Sequence, residues 1–585
     1  MTRAYPHIAL ILLVILFSAC QKNDKQRFEH AGGALTMALN NEPSTYQPRA
    51  VLDYYSAAVL NQINEGLVGM NPENLKIIPK LASEWTVGNN GKTYTFTLRE
   101  NVLFHPCELF TSEEDRKLTP NDVIASFEAA CSKDENGLPY AAYSLVFKSL
   151  VKGADEFYNG ESEAISGLQV NGNEITIELI REDQNFLYKL ANINAGIVSK
   201  KVLESAKDNE IVVGTGPFVY GDYTGKDVRR LTLLKNKDYY RFDDEGNALP
   251  YLDSIVLIFE GKKMNQLDLF ENEEIDLIKG LPTTRITKML EGRIEDFNSK
   301  PPKLILENNP LLESNFYYFN LQDPRFKDKR VRQAFNYALD KEVIGREILR
   351  NQYYDLGWYG VTPPIPKALK GYDFAAVKKA GYTYDPEKAK KLLADAGFPN
   401  GEGFGTVQLR YNINDIHSAV ADEFAKQIKN TLNINVNIDG STFEQLIEDG
   451  EFARGDIFRQ GWGGDYPSPE TFLATFYGAY VPDDSLESSI INKSRYKNPL
   501  FDEFFKRGTD AKKMSDQMAN FAKAEAELMK DPPIIPLWYT GDIEIIQSYV
   551  RNFHFNPLNY MDFTKVYIKE WTEEEYTQLH QSEKK

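Results

Sequence analysis

Nowhere along its 585 residues does the chain carry a low-complexity linker or an internal repeat. One hydrophobic core does not extend over that length, so two or three domains are expected, joined by short crossings. Such a body is suited to hinging. Hydrophobic content of 42% and aromatic content of 12% leave ample material to bury.

The elements alternate. Residues 35–39 predict a strand, 45–48 a turn and 54–67 a helix. Tyr94, Phe96 and Leu98 share one face of a half-buried strand. Gly88-Asn89-Asn90-Gly91-Lys92-Thr93 before it superficially resembles a phosphate loop, but Thr86 replaces the required first glycine and a strand follows, so a hairpin turn is expected. Thr119-Pro120-Asn121-Asp122 has the cap, first-turn proline and acidic third position of a helix start. Strands are expected at 174–180, 231–234 and 255–259, with Gly214 and Gly216 marking a tight crossing. Beyond Pro310 the pattern predicts a strand over 316–321 and a helix over 331–349. Asp385-Pro386 starts a helix that stops at Gly397; 415–432 is helical and 434–438 a strand. Helix and strand alternating around one sheet is an α/β pattern.

Ile8 to Phe17 form an apolar run of ten residues, preceded by Arg3 and followed by Ser18-Ala19-Cys20. Ten residues are too few to span a bilayer as a helix. The pattern is that of a bacterial lipoprotein signal over 1–19, cleaved before Cys20, whose sulfur is then acylated. Residues 21–30 read as a polar tether, with 20–32 preceding the first domain. The mature protein is expected in the cell envelope as a periplasmic lipoprotein held to a membrane through Cys20. Cys107 and Cys131 remain; they either bridge or leave Cys131 as a buried thiol. A formal charge of −18 argues against nucleic acid and anionic surfaces as partners.

One stretch carries the chemistry: Gly461-Trp462-Gly463-Gly464-Asp465-Tyr466-Pro467-Ser468-Pro469-Glu470-Thr471-Phe472-Leu473. It follows extended residues 456–460, and its glycines let backbone approach whatever Asp465 faces. Asp465 either caps a turn before Pro467 or presents an anion from a semi-apolar wall. In the second case it needs a cation, and the next thirty residues supply none nearer than Lys493.

In this order the pieces resemble the peptide-binding subfamily of bacterial ABC-transporter solute-binding proteins, extracellular family 5, and within it the oligopeptide binders. The resemblance rests on Leu81-Ala82-Ser83-Glu84-Trp85 before Tyr94-Thr95-Phe96, on Thr215-Gly216-Pro217 before Asn236-Lys237-Asp238-Tyr239-Tyr240, on Val331-Arg332-Gln333-Ala334-Phe335 before Ala338-Leu339-Asp340-Lys341, and on the stretch above. Pro139-Tyr140-Ala141-Ala142-Tyr143 and Asn414-Asp415-Ile416-His417 add to it. It implies a two-lobed, periplasmic-binding-protein-like (class II) α/β fold of three domains with mixed sheets and a hinge. Domain I would combine 33–65, 193–313 and 542–585; domain II would be 66–192 and domain III 314–541. His105-Pro106-Cys107-Glu108 and Ala125 depart from the family pattern.

The resemblance also implies a ligand chemistry. Asp465 would hold a peptide's α-ammonium, the one cation every peptide carries. Arg459, His417 and Arg350 match positions that meet the far carboxylate. Each has a structural alternative: a solvated helix end for Arg350, a helix cap for His417, an internal ion pair for Arg459. Gly461 and Gly463 would admit an extended peptide paired to protein strands. Trp462 and Phe443 either shape wide side-chain pockets or belong to the core. The partners implied are short peptides bound largely independently of sequence, permease and ATPase subunits, and no cofactor or metal; the protein would act as a monomer.

Rival readings keep the fold with a sugar oligomer, a metal chelate or an opine as ligand, or make the chain a sensor or adhesin. A secreted hydrolase is the reading of a different class. The sequence has neither a Gly-x-Ser-x-Gly elbow nor a His-Glu-x-x-His motif, and its six histidines show no metal-ligand spacing.

Overall fold

Strand β1 (Ala34–Leu39) turns Leu35, Met37 and Leu39 inward, as its alternation requires. The computed structural model describes residues 28–205, 210–225, 229–280, 286–349, 364–369, 371–375 and 379–582. The leader at 1–19, Cys20 and Arg350 lie outside the described residues.

After helix α1 (Tyr54–Ile63), which Asp53 caps on the Ser56 N–H at 2.9 Å, the chain builds a small antiparallel sheet. Its strands are β2 (Ala82–Gly88), β3 (Thr93–Leu98), β4 (Leu168–Asn171) and β5 (Glu174–Glu178), in the order β2-β3-β5-β4. Tyr94, Phe96 and Leu98 enter the core as predicted. The β2–β3 hairpin turns through Asn89, Asn90 and Gly91, all at positive φ. Helix α2 (Pro120–Ala130) starts at the expected box, where the Asp122 carboxylate accepts the Thr119 N–H at 2.8 Å and O–H at 2.6 Å. Phe104, Phe127, Phe147 and Phe186, the last opening α3 (Phe186–Ala191), fill this core.

The return crossing requires its glycines. A Cβ on Gly214 would lie 2.0 Å from the Ile63 carbonyl oxygen, and one on Gly216 would lie 2.6 Å from that of Gln62. Buried His105 ties the crossing down: its Nδ1 accepts the Gly214 N–H at 3.3 Å and its Nε2–H donates to the Gly216 carbonyl at 2.9 Å. Burial pulls its pKa down to about 4, so the ring is neutral.

Next come β6 (Phe218–Thr224), β7 (Arg230–Lys235), β8 (Ser254–Phe259), β9 (Leu277–Lys279) and β10 (Leu304–Phe319). The other lobe follows as β11 (Val407–Asn412), α4 (Asp415–Leu432), β12 (Val436–Ser441), α5 (Phe443–Glu451), β13 (Ile457–Gly463), α6 (Pro469–Leu473) and α7 (Met514–Lys530). Strand β14 (Ile534–Gln547) then completes a ten-stranded mixed sheet, β12-β11-β13-β10-β14-β9-β1-β8-β7-β6. β10 and β14 run antiparallel from Leu304↔Gln547 to Tyr318↔Ile534, with register shifts between Pro310 and Ser314 and again before Phe316. β13 pairs with β10 only from Glu313 to Phe319. β10 and β14 thus pass from one lobe into the other. Leu35, Phe218 and Leu257 belong to a core on one side; Phe335 and Phe424, and Phe458 and Phe501, fill the two faces of the sheet on the other.

Several expectations are corrected. The strand predicted at 316–321 begins at Leu304 and runs through Pro310, tolerated because the register breaks just beyond it. The helix predicted over 331–349 is Lys329–Tyr337, and a new start at Asp340 caps the N–H groups of Glu342 and Val343. Within the stretch expected as tether, Phe28 stacks on Tyr251 at 4.3 Å and packs edge-on against Tyr567 at 5.0 Å. Cys107 and Cys131 are free thiols, and Cys131 is buried. No described helix is long and apolar enough to cross a membrane.

Candidate functional site

Strand β13 pairs with β11 only at Ile457 and Phe458, so between Arg459 and Gly463 its edge away from β10 carries no described strand. The Gly464 N–H donates to the Leu312 carbonyl at 2.7 Å, which fixes where the chain leaves the sheet. Asp465 follows, and Ser468 then caps α6 by accepting the Glu470 N–H at 3.2 Å.

Asp465 caps no turn: its carboxylate accepts no backbone N–H among the described residues. It receives the Thr471 hydroxyl at 2.8 Å and the Asn192 side-chain amide at 3.4 Å. Both donors are neutral. Burial pushes its pKa up to about 6, and the Thr471 and Asn192 donors only partly oppose this. Among the described residues no cation is within ion-pair distance; Lys493 instead lies 3.7 Å from Glu451. Asp465 borders a cavity with about 30 Å³ of room for the centres of water-sized groups. At roughly 10–15 Å³ per water, that admits a small polar head group. Trp462 lies in the same wall, and its indole N–H is buried without a partner among the described residues.

Arg459 and His417 are brought together, and Asn412 joins them. Arg459 donates to Asn315 Oδ1 and, at 3.5 Å, to Asn412 Oδ1, while its Nε–H is buried without a partner among the described residues. His417 Nδ1 lies 3.2 Å from the Asn412 carbonyl and 2.8 Å from Asn414 Nδ2. Asn414 Oδ1 already accepts the His417 N–H at 2.7 Å, so its Nδ2 faces Nδ1 as a donor while the Asn412 carbonyl faces it as an acceptor. Burial first, then the charge of Arg459, holds the imidazole pKa well below its usual value. Burial likewise lowers Arg459, against the opposing influence of Glu313.

A Cβ on Gly461 would lie 2.9 Å from Arg459 Nη2 and 3.1 Å from Asn315 Oδ1, so this glycine makes room for the guanidinium rather than for a ligand. Gly463 faces open space. Trp462 is part-buried against the lobe core, whereas Phe443, half-buried at the start of α5, joins none of the core clusters.

No local feature of the sequence signals what holds this site shut. Lys189 Nζ lies 2.7 Å from Asp183 and 2.7 Å from Glu470 across the cleft. Asn185 donates to Glu470 Oε2 at 2.7 Å and to Ser468 at 3.2 Å. Burial works against the Lys189 charge, but Asp183 and then Glu470 outweigh it and raise its pKa. The Tyr188 and Tyr466 rings stack at 6.2 Å. The lobes are therefore in contact, and a buried pair of this geometry breaks at a cost of several kcal/mol, about 3–5 if one partner is removed.

The sequence matches the family model for bacterial extracellular solute-binding proteins, family 5 middle, over residues 76–483. It is 26% identical over 548 residues to the periplasmic oligopeptide-binding protein OppA of Salmonella typhimurium, covering 91% of this chain and 92% of that protein. It is 25% identical over 584 residues to heme-binding protein A of Haemophilus influenzae, covering 96% and 98%. Among solved structures, the periplasmic binding protein DppA of Helicobacter pylori in complex with peptide STSA is similar with a TM-score of 0.77 at 22% identity, covering 92% of this chain and 99% of that one.

Proposed function

The chain belongs to the bacterial extracellular solute-binding proteins of family 5, binding proteins of transport systems rather than enzymes, and on that footing we propose that it captures short peptides, largely independently of sequence, and delivers them to an ABC permease driven by ATPase subunits. The observation that carries the proposal is Asp465, a desolvated carboxylate whose described partners are all neutral. An α-ammonium entering beside it supplies the missing charge. The bare edge of β13 from Arg459 to Gly463 offers an extended peptide main-chain partners, with Gly463 facing open space and Trp462 and Phe443 shaping side-chain room. Arg459 and His417 would meet the peptide carboxylate, since the described partners of the Arg459 guanidinium are neutral amide oxygens; Arg350 is proposed from the sequence alone.

The lobes would pivot where β10 and β14 cross, with domain I at 33–65, 193–313 and 542–585, domain II at 66–192 and domain III at 314–541. The register shifts after Pro310 support that position. The mature monomer would begin at lipidated Cys20 and be held to a membrane of the bacterial envelope. Purifying the protein without denaturant, releasing bound material with acid and weighing it by mass spectrometry tests the ligand. Short peptides of narrow length and varied sequence are expected. A single sugar oligomer, opine or metal chelate would overturn the peptide reading.

A further inference from the structure

Three charged residues line the cavity beside Asp465: Asp465 itself, Lys189 and Glu470. Two of them are spoken for. Lys189 is held between Asp183 and Glu470, and Glu470 has both oxygens occupied, one by Lys189 and the other by the Asn185 amide. Asp183 is also faced by Arg181 at 3.4 Å. Arg181 also faces Asp510 at 3.9 Å, but that carboxylate is 40% exposed to solvent. Within the buried group Lys189 and Arg181 thus balance Asp183 and Glu470, and of the charged residues lining the cavity Asp465 alone lacks a described counterion. The remaining walls, from Leu145, Val146, Ala474 and Ile491 to Ser144, Asn192 and Thr471, are neutral and offer a second ligand charge no counterion.

We propose that Lys189 determines the first residue of the bound peptide: by neutralising Glu470 across the cleft, it leaves the site one unpaired negative charge, which the α-ammonium consumes, so an uncharged first side chain is preferred over lysine, arginine, aspartate or glutamate. This rests on the peptide reading above. Lys189 and Glu470 are 281 positions apart and belong to different lobes, so the balance is complete only when the lobes meet. A peptide with a charged first side chain leaves a buried charge without a partner and opposes closure. A latch with no part in selection would, on removal, weaken all peptides alike.

The test is calorimetric titration with two alanine series, of three and five residues, differing only in the first residue: alanine, lysine or glutamate. The parent should prefer alanine-first peptides by about tenfold or more. Lys189→Met frees Glu470 and should raise the lysine-first to alanine-first affinity ratio by about tenfold. Glu470→Gln leaves Lys189 with one carboxylate fewer and should favour glutamate-first peptides; it also provides the readout if Lys189→Met fails to fold. The double variant, with both charges removed, should restore the parent order. Equal losses for all three peptides in the single variants, or a parent that binds all three alike, overturns the assignment while leaving peptide capture standing. A parent that binds none of them removes peptide capture itself, and this assignment with it.

Discussion

Replacing Asp465 with asparagine should stabilise the unliganded protein while removing tight peptide binding. Burial pushes the carboxylate up to about 6 from an ordinary 3.8. At about 1.36 kcal/mol per pH unit, holding it charged at neutral pH costs roughly 2–3 kcal/mol. Asparagine keeps an oxygen for the Thr471 hydroxyl and removes the charge. The folded value lies above the unfolded one, so this group's stability contribution is full below 3.8 and is lost as pH rises through about 6. Parent and variant should therefore melt alike near pH 4 and separate by pH 7, with the variant more stable by up to about 3 kcal/mol. Peptide affinity should fall by roughly 2–5 kcal/mol, about thirtyfold to several thousandfold, because one partner of a desolvated pair is gone. Scanning calorimetry at both pH values, with and without peptide, reads both effects. A variant that melts lower than the parent at pH 7, or that binds within about threefold of it, would refute the reasoning.

Peptide affinity in the parent should be greatest between about pH 6, below which Asp465 protonates, and about pH 8, above which the peptide α-amine loses its proton; titrations that stay flat down to pH 5 would dissociate Asp465 from the ammonium. Gly461→Ala places a Cβ against Arg459 Nη2 and Asn315 and should cost peptides with a free carboxylate about tenfold; C-terminally amidated peptides should lose much less, and equal losses would take Arg459 out of the carboxylate site. Buried Glu525 accepts the Tyr372 hydroxyl at 2.5 Å and the Ile365 N–H at 2.8 Å, and burial pushes its pKa up to about 8. Its contribution is full below about 4.5 and lost as pH rises through 8, so thermal melts of the parent should decline over that window and those of Glu525→Gln should decline less; parallel declines would contradict this.

What could be read from the sequence was local. Tyr94, Phe96 and Leu98 declare their face by period two, Thr119 and Asp385 declare helix starts, and Gly214 and Gly216 declare a close crossing because only glycine fits against the carbonyls of Ile63 and Gln62. Asp465 stood out because two glycines and two prolines isolate a single carboxylate. Its environment did not: Asn192 is 273 positions away, and nothing near Lys189 indicates that its ammonium crosses to Glu470. The first half of β10 is not legible because Pro310 argues against a ladder, and the strand tolerates it because the register breaks just beyond, between Pro310 and Ser314. The break inside the helix expected over 331–349 is not legible in apolar spacing, which continues across 338–340, where Asp340 caps a new helical segment.

The position of β14 bears on how this chain is made. In the large sheet it is the sole link between β12-β11-β13-β10 and β9-β1-β8-β7-β6, yet it is the last of the ten strands in sequence. Until residues 534–547 emerge, synthesis leaves two half-sheets with bare inner edges, one of them the sixteen-residue β10, and exposed edges of that length recruit other strands. β1 must also wait for β8, more than 200 positions later. Slow, non-local closure of this kind favours aggregation over folding in a crowded compartment. Residues 534–547 are therefore the segment whose arrival covers both inner edges at once.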